Sequence, residues 1–192
     1  MRYSTSHKEE TRQRLLQSSR EIAKRGGFDS TGVDALMASV GLTGGAFYGH
    51  FPSKQALFQA LIEEEMAHST ELLAGEAGQD EDHVEKCLRQ YLSHAHAQHP
   101  ESGCALPALG AEIARAGSEV RSVVEQALKR TQKSWAGRTG DEDLAWALLA
   151  QCVGALVLAR AVEGERTRKQ ILGSSRHFLA QALAAGKTAR ED

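Results

Sequence analysis

The sequence predicts an all-α protein, on three observations. Helix-favouring Ala, Leu, Glu, Gln and Arg are frequent, whereas Val, Ile, Thr and aromatic residues are sparse and prolines number 3. Apolar residues recur at helical spacing between breaks that contain glycine. No stretch alternates polar and apolar residues long enough to make a strand. With 192 residues, the chain has room for one or two domains and about nine helices.

Four helices are predicted near the N-terminus. The first covers residues 6–25 and ends at Gly26. The second covers residues 33–40, and three polar residues before it are candidate N-caps, namely Asp29, Ser30 and Thr31. Gly41 separates it from a short third helix, residues 43–48, which Thr43 could cap. The fourth opens at Pro52 or Ser53.

Longer helices are predicted downstream, where the apolar stripes are longer. They cover residues 82–98, 105–114, 118–136, 141–162 and 165–185. The fourth of these five is apolar nearly all round, which predicts burial on more than one face.

Charge is distributed unevenly along the chain. Residues 1–54 contain eight Lys and Arg against five acids, while the chain as a whole has a net charge of −2. A basic head (residues 1–54) and an acidic body (residues 55–192) indicate that the two parts of the chain have different functions. The alternative is that surface charges are distributed by chance.

The spacing of the cysteines and the hydropathy of the chain exclude several classes of protein. The 3 cysteines have no C-x-x-C spacing, so neither a disulfide framework nor a zinc knuckle is expected. The N-terminus has no apolar signal segment, and the longest apolar run, residues 144–159, is shorter than a bilayer requires. We therefore expect a cytoplasmic protein with no membrane partner.

The pair of short helices 33–40 and 43–48 has the length and turn of a helix-turn-helix. The second helix opens with residues that have little side-chain bulk, so its backbone could approach a duplex closely, namely Thr43, Gly44, Gly45 and Ala46. Tyr48, His50 and Lys54 follow, with an OH, an imidazole and an ammonium that could meet phosphates. The alternative is a glycine-rich corner between helices whose polar residues only cap a core.

The ten residues from Tyr48 to Leu57, Tyr-Gly-His-Phe-Pro-Ser-Lys-Gln-Ala-Leu, carry a family resemblance. With the small-residue helix before them, they resemble the DNA-binding head of the tetracycline-repressor (TetR/AcrR) family over residues 8–62. The resemblance implies a helix-turn-helix domain at 1–54, with the motif at about 31–50, and a ligand-sensing and dimerisation domain at 55–192. It implies a homodimeric repressor, released from a palindromic operator by a small-molecule or thiol-reactive effector.

The resemblance also implies roles for single residues. Helix 43–48 would lie in the major groove, Tyr48, Lys54 and Thr31 would bind phosphates, and His50 would brace the head or touch the DNA backbone. Phe47 and Phe51 would pack the head against an apolar set consisting of Ile22, Leu36 and Val40. Gly44 and Gly45 depart from the larger residues common in the family, so base reading would depend on Thr43, Ala46 and groove shape.

In the body, the last two predicted helices would form a four-helix dimer interface by the same resemblance. The alternative is that they complete a monomer core. Cys104, with Glu112 further along, resembles a branch of the family that senses oxidants or electrophiles through a cysteine. A thiol at a helix N-terminus can be activated, but a small buried cysteine is the alternative. Cys87 and Cys152 lie on predicted apolar stripes, so we expect both in the core.

Other site types have weaker support. His94, His96 and His99 do not share one helical face, so surface histidines are expected and no metal or cofactor. Three aromatic residues could line an effector cavity or simply fill the core, namely Trp135, Trp146 and Phe178. A cysteine-dependent enzyme using Cys104 and a non-DNA-binding helical module remain as alternative classes.

Overall fold

The computed structural model describes residues 5–75 and 82–191, and this part of the chain is helical without any strand. The predicted all-α class is confirmed. The α-helices are α1 (Thr5–Gly26), α2 (Val33–Ala38), α3 (Lys54–Ala74), α4 (His83–Tyr91), α5 (His94–Gln98), α6 (Leu106–Arg115), α7 (Ser118–Thr139), α8 (Glu142–Ala161) and α9 (Glu165–Glu191). Two 3₁₀ helices, Gly44–Gly49 and Pro100–Ser102, complete the described elements.

Helix α1 ends where the sequence predicts, at a pair of glycines. Gly27 adopts a φ of 88°, and its N–H donates to the Ala23 carbonyl at 2.8 Å. A left-handed residue after the last turn satisfies a terminal carbonyl, and glycine adopts that conformation at the lowest cost. A Cβ at this position would also lie 2.9 Å from the Glu112 carboxylate, so the turn fits closely against α6.

The predicted caps of α2 are wrong. The N-cap is Gly32, and the preceding hydroxyls close the turn after α1 instead. Ser30 Oγ donates to the Gly26 carbonyl at 2.8 Å, and Thr31 Oγ1 donates to the Gly27 carbonyl at 3.0 Å. These hydroxyls donate to residues that precede them in the chain, because the carbonyls at the end of α1 lie within hydrogen-bonding distance.

The helix predicted at 43–48 exists, but as the 3₁₀ helix Gly44–Gly49. Its backbone bonds span three residues, from the Ala46 N–H to the Thr43 carbonyl and from the His50 N–H to the Phe47 carbonyl. Thr43 occupies the N-cap position without a side-chain bond. Two adjacent glycines weaken an α-helix, which agrees with this short, tightly wound element.

Helix α3 begins as predicted, because Ser53 Oγ accepts the Ala56 N–H at 3.0 Å. The single helix predicted at 82–98 is wrong, because the chain breaks into α4 and α5 at Leu92 and Ser93. Ser93 is extended, and its Oγ accepts the His96 N–H at 3.1 Å. A serine that can cap a new helix competes with continuation of the old one.

Two apolar cores organise the molecule. The first joins the head, α3 and the start of α7, and it includes Ala105, Leu109 and Ile113 at α6. The second lies among α4, α8 and α9, with Trp135 of α7 fully buried in it. Because the first core is shared, the head and the body are packed together rather than tethered.

Helix α8 packs between α7 and α9. By length and composition alone it could cross a membrane. Seven of its residues are nevertheless buried in the molecule, from Ala145 to Ala159. A core helix of this kind passes the same length and composition test, so burial accounts for the apolar residues on this side of the helix.

Candidate nucleic-acid interface

The 3₁₀ helix Gly44–Gly49 has one buried side and one exposed side. Phe47 is fully buried in the first core, whereas the neighbouring Tyr48 is 70% exposed. The two rings meet edge to face with centroids 5.4 Å apart. Phe47 and Phe51 share this core with Leu36, Val40 and Ile22, which confirms the predicted packing of the head. The exposed side therefore consists of Thr43, Gly45 and the Tyr48 ring on a fixed support.

Gly44 and Gly45 occupy different environments. A Cβ at Gly44 would overlap the Asp34 Oδ1 atom of α2, whereas a Cβ at Gly45 would meet no atom within 4 Å. As long as the Asp34 side chain stays where it lies in this structure, only glycine fits at position 44. Position 45 is open and exposed, so it offers the close backbone approach that the sequence predicts for both glycines.

His50 lies beside the N-terminal part of α1. Burial lowers the pKa of its imidazole, and the positive charges of Lys8 and Arg12 lower that pKa further. The Arg12 guanidinium lies 4.6 Å from the centroid of the Phe51 ring. Cations of α1 therefore contribute to the same surface as the 3₁₀ helix. The sequence reasoning missed them, because their proximity depends on how α1 crosses the head.

Lys54 and Thr31 both contact the turn that follows α1. Lys54 Nζ donates to the Asp29 carbonyl at 3.0 Å and lies 4.9 Å from the centroid of the Phe28 ring. Thr31 Oγ1 is occupied by the Gly27 carbonyl. An ammonium has three protons to donate, so Lys54 keeps capacity for a further acceptor.

The head is joined to the body by two sets of contacts that the sequence did not predict. The carboxylate of Glu112 in α6 accepts the Phe28 N–H at 3.0 Å and the Asp29 N–H at 3.3 Å. Lys24 of α1 donates to the Gly103 carbonyl and to Glu65 Oε2, each at 2.9 Å.

Arg20 reaches the other oxygen of Glu65 at 3.2 Å. Lys24 and Glu65 are both almost fully buried, and such charges persist only when paired. Partners separated by 41 to 84 residues leave no local pattern, so only the fold reveals these contacts.

Cys104 is buried just before α6. Its N–H donates to His96 Nε2 at 3.0 Å, and His96 Nδ1 contacts the Tyr91 carbonyl at 2.7 Å. This pattern requires a neutral imidazole with its proton on Nδ1. Burial lowers the pKa of His96, in agreement with that state, although the bond to Tyr91 opposes the shift. Both ring nitrogens are engaged with the backbone, so His96 is not placed as a base for the thiol.

The other two cysteines differ from each other. Cys152 is buried as predicted, and burial raises the pKa of its thiol to about 12, with Cys87 and Cys104 adding to the shift. Cys87 is only half-buried, so its prediction as a core residue is wrong. Its Sγ lies 3.3 Å from His83 Nε2, one helical turn away, and burial raises the pKa of this thiol as well.

The histidine and aromatic predictions are partly wrong. His96 is an internal hydrogen-bonding residue, whereas His94 and His99 lie near Glu165 and Glu101 at 3.2 and 3.4 Å. Within residues 5–75 and 82–191, no group of three His, Cys, Asp or Glu side chains could hold a metal ion. Trp135 lines an enclosed cavity, but Trp146 and Phe178 are 41% and 60% exposed.

The outer faces of α8 and α9 carry an apolar surface. Its members are large side chains exposed by 41–60%, namely Trp146, Val157, Leu158 and Phe178. We call this set the α8–α9 face. The interior of α8 is meanwhile filled by other residues, so these four are surplus to the core of a single chain.

This arrangement of two short helical elements on α1, carried by a helical body, defines the helix-turn-helix class of regulators. Residues 15–61 match the sequence model of the bacterial regulatory proteins of the tetR family. The head of this chain is therefore similar to the DNA-binding head of that family.

Curated relatives agree with this assignment. The HTH-type transcriptional repressor NemR of Escherichia coli K12 is 28% identical over 130 residues, 66% of this chain and 64% of NemR. The HTH-type transcriptional regulator UidR of the same organism is 44% identical over 52 residues, 27% of this chain and 26% of UidR. The matches thus span less than two thirds of either relative. Both are named as regulators rather than enzymes.

Solved structures share the fold over nearly the whole chain. A TetR transcriptional regulator from Chloroflexus aurantiacus has a TM-score of 0.76 at 22% identity, covering 92% of this chain and 98% of that one. The reduced form of E. coli NemR has a TM-score of 0.68 at 22% identity, covering 87% and 96%.

Proposed function

We propose that this chain is a cytoplasmic, homodimeric repressor that binds palindromic duplex DNA. Residues 1–54 form the DNA-binding domain, and residues 55–192 form the sensing and dimerisation domain. The observation that carries the proposal is the exposed side of the 3₁₀ helix Gly44–Gly49, where Tyr48 is 70% exposed above the buried Phe47. The match of residues 15–61 to the tetR family model supports it.

The DNA contacts follow from this surface. The small residues Thr43 to Ala46 enter the major groove with the 3₁₀ helix, and the open space at Gly45 lets the backbone approach the bases. Tyr48, Lys54 and Thr31 bind phosphates, and His50 braces the head or touches the DNA backbone. Lys8 and Arg12, which lie near His50, add positive charge that attracts the DNA phosphates.

The homodimer rests on the α8–α9 face. A helix-turn-helix protein that reads a palindrome needs two heads about one DNA turn apart. Exposed apolar patches of this kind mark association sites on soluble proteins. A second copy of the same face would cover these side chains and fix the spacing of the two heads.

The effector is a small molecule or a thiol-reactive compound that acts on the body. Cys104 lines both the enclosed cavity and a groove open to solvent, which gives a reagent a route to a buried thiol. NemR, one of the relatives, has a structure described as its reduced form.

The neighbouring contacts couple the two domains. Gly103 precedes Cys104, and its carbonyl is bonded to Lys24 of α1. Modification or displacement of Cys104 therefore alters a contact of the head. An effector releases DNA when it favours the conformation with the wrong head spacing.

Selection of bound sites from random duplex DNA tests the proposal, with reduced protein and with protein treated with the thiol oxidant diamide. We expect enrichment of a palindrome, and loss of binding in diamide that Cys104→Ser prevents but Cys87→Ser does not. A palindrome indifferent to diamide would remove the thiol-reactive effector and retain the repressor. If no duplex is enriched at low salt, the repressor is wrong and the non-DNA-binding module replaces it.

A further inference from the structure

The hydroxyl of Tyr91 is buried without a strong hydrogen-bond partner. Only 8% of this residue is exposed, and among the residues that the structure describes its OH has no oxygen or nitrogen partner, with only the weakly hydrogen-bonding thiol of Cys104 beside it. Burial raises the pKa of the phenol well above its ordinary value, so the group remains a protonated donor at neutral pH. Buried polar groups are almost always bonded, and an unused donor therefore requires an explanation.

Tyr91 lines an enclosed cavity of about 30 Å³ whose threonine hydroxyls and tryptophan N–H are satisfied. Thr70 Oγ1 donates to the Met66 carbonyl at 2.7 Å, and Thr131 Oγ1 donates to the Ala127 carbonyl at 3.2 Å. The remaining wall is mostly apolar, with Met66, Leu73, Trp135 and Leu149 among its members. The Cys104 thiol, which interacts with Tyr91, is only a weak hydrogen-bonding group.

A groove that is open to solvent borders the cavity. This groove, of about 1030 Å³, runs between α1, α3, α4 and the segment 93–104. The groove and the cavity share four wall residues, Ser69, Leu73, Tyr91 and Cys104. A molecule that enters the groove therefore reaches the Tyr91 hydroxyl by displacing side chains of this shared wall.

We propose that Tyr91 is the polar anchor of an effector site for a compact, uncharged, apolar molecule with one hydrogen-bond acceptor, such as a ketone carbonyl. The proposal rests on the repressor function inferred above and names its ligand class. An acceptor is selected because the phenol has a proton to donate. A charged ligand is disfavoured, because the enclosed wall offers no counter-charge and Lys24 and Arg20 in the groove are paired with Glu65.

A ligand bound at Tyr91 contacts the segment that reports to the head. The Cys104 N–H is held by His96, and the preceding Gly103 carbonyl is held by Lys24 of α1. A Cβ at Gly103 would overlap the His96 ring, so this segment has no free space on that side. Expansion of the cavity therefore displaces the bond between Gly103 and α1.

Two isosteric probes test the site directly. Acetophenone carries a carbonyl, whereas α-methylstyrene has a CH₂ group in its place, and neither compound reacts readily with thiols. Binding is followed by NMR of ¹³C-methyl methionine, because Met66 lines the cavity and Met37 lies in the core of the head as an internal control. The full-length protein is used throughout.

We expect acetophenone to shift the Met66 signal saturably without shifting Met37, and to bind about tenfold more tightly than α-methylstyrene. Tyr91→Phe should abolish this preference while leaving α-methylstyrene binding unchanged. Equal preference in the wild type and Tyr91→Phe would overturn the anchor. Absence of a saturable Met66 shift in the wild type would overturn the site itself.

DNA binding is measured separately, so the two proposals fail in different ways. Without a probe, wild type and Tyr91→Phe should bind the selected duplex equally, because the phenol lies in the body. If the Met66 titration succeeds and no duplex binds, the ligand site stands and the repressor function fails. If the duplex binds and the wild type does not bind acetophenone more tightly than α-methylstyrene, the repressor function stands and the ligand class is wrong.

Discussion

Both oxygens of the Glu112 carboxylate lie 3.0 Å from the Phe28 N–H, across the junction between α6 and the turn that follows α1. The Asp29 N–H adds a third bond at 3.3 Å. A residue of the body thus fixes the backbone from which α2 and the 3₁₀ helix Gly44–Gly49 extend. Movement of α6 would move the DNA-binding surface with it.

Glu112→Ala should lower the free energy of unfolding by about 1.5–3 kcal/mol, because hydrogen bonds to a charged group are lost and two backbone donors lose their partner. Denaturant unfolding followed by circular dichroism measures this loss. Glu163→Ala, a change at an exposed position between α8 and α9, is the control and should stay within about 0.5 kcal/mol of wild type. Equal stability of both variants would exclude Glu112 as a structural link.

Gly44→Ala and Gly45→Ala should have opposite consequences. The first places a Cβ against the carboxylate of Asp34, an exposed side chain that must rotate away, and should destabilise the protein by at most about 1 kcal/mol. The second meets no atom, so its stability should be unchanged or slightly higher, while its affinity for the selected duplex changes because the exposed surface has a new methyl group. Thermal unfolding and DNA titration of the pair measure both effects. Similar unfolding of the two variants would contradict the role assigned to Asp34.

His96 should make stability depend on pH. Its folded-state pKa is lowered, so the unfolded chain binds the proton first as the pH falls below about 6.5. The stabilisation is complete above that pH and is lost as the pH falls towards the folded-state pKa, by at most about 1.4 kcal/mol per pH unit.

Urea unfolding at pH 7.5 and 5.5 tests this dependence. Wild type should lose more stability over the interval than His96→Gln, whereas His99→Gln, at an exposed position, should follow wild type. Parallel losses in wild type and His96→Gln would show that His96 is not the titrating group.

Phe178→Glu should dissociate the proposed dimer, because a carboxylate placed in an apolar interface loses its hydration. Leu72→Glu is the matched control, since Leu72 is equally exposed, at 60%, but lies on α3 outside the α8–α9 face. Light scattering coupled to size-exclusion chromatography gives the mass of each. A monomeric wild type would contradict the homodimer, and dissociation by Leu72→Glu alone would place the interface elsewhere.

The sequence was sufficient for the parts of this protein that local patterns encode. Helical spacing located α1, α3 and the long helices of the body, and the residues from Tyr48 to Leu57 identified the head. The helical spacing was misleading at Ser93, because this serine lies within a stretch of helical apolar spacing but caps the start of a new helix, α5. The contacts of Lys24, Tyr91 and Glu112 could not be predicted, because each depends on where distant helices cross.

The most direct test of the DNA-binding surface is the affinity of wild type, Tyr48→Phe and Lys54→Ala for the selected duplex across a salt series. Both variants should bind every duplex more weakly, and Lys54→Ala should reduce the slope of log K against log salt by about 1, as loss of one phosphate contact does. Lys133→Ala, an exposed lysine on α7, serves as the charge-matched control and should behave as wild type. Unchanged affinity and slope in both Tyr48→Phe and Lys54→Ala would contradict the assignment of this surface.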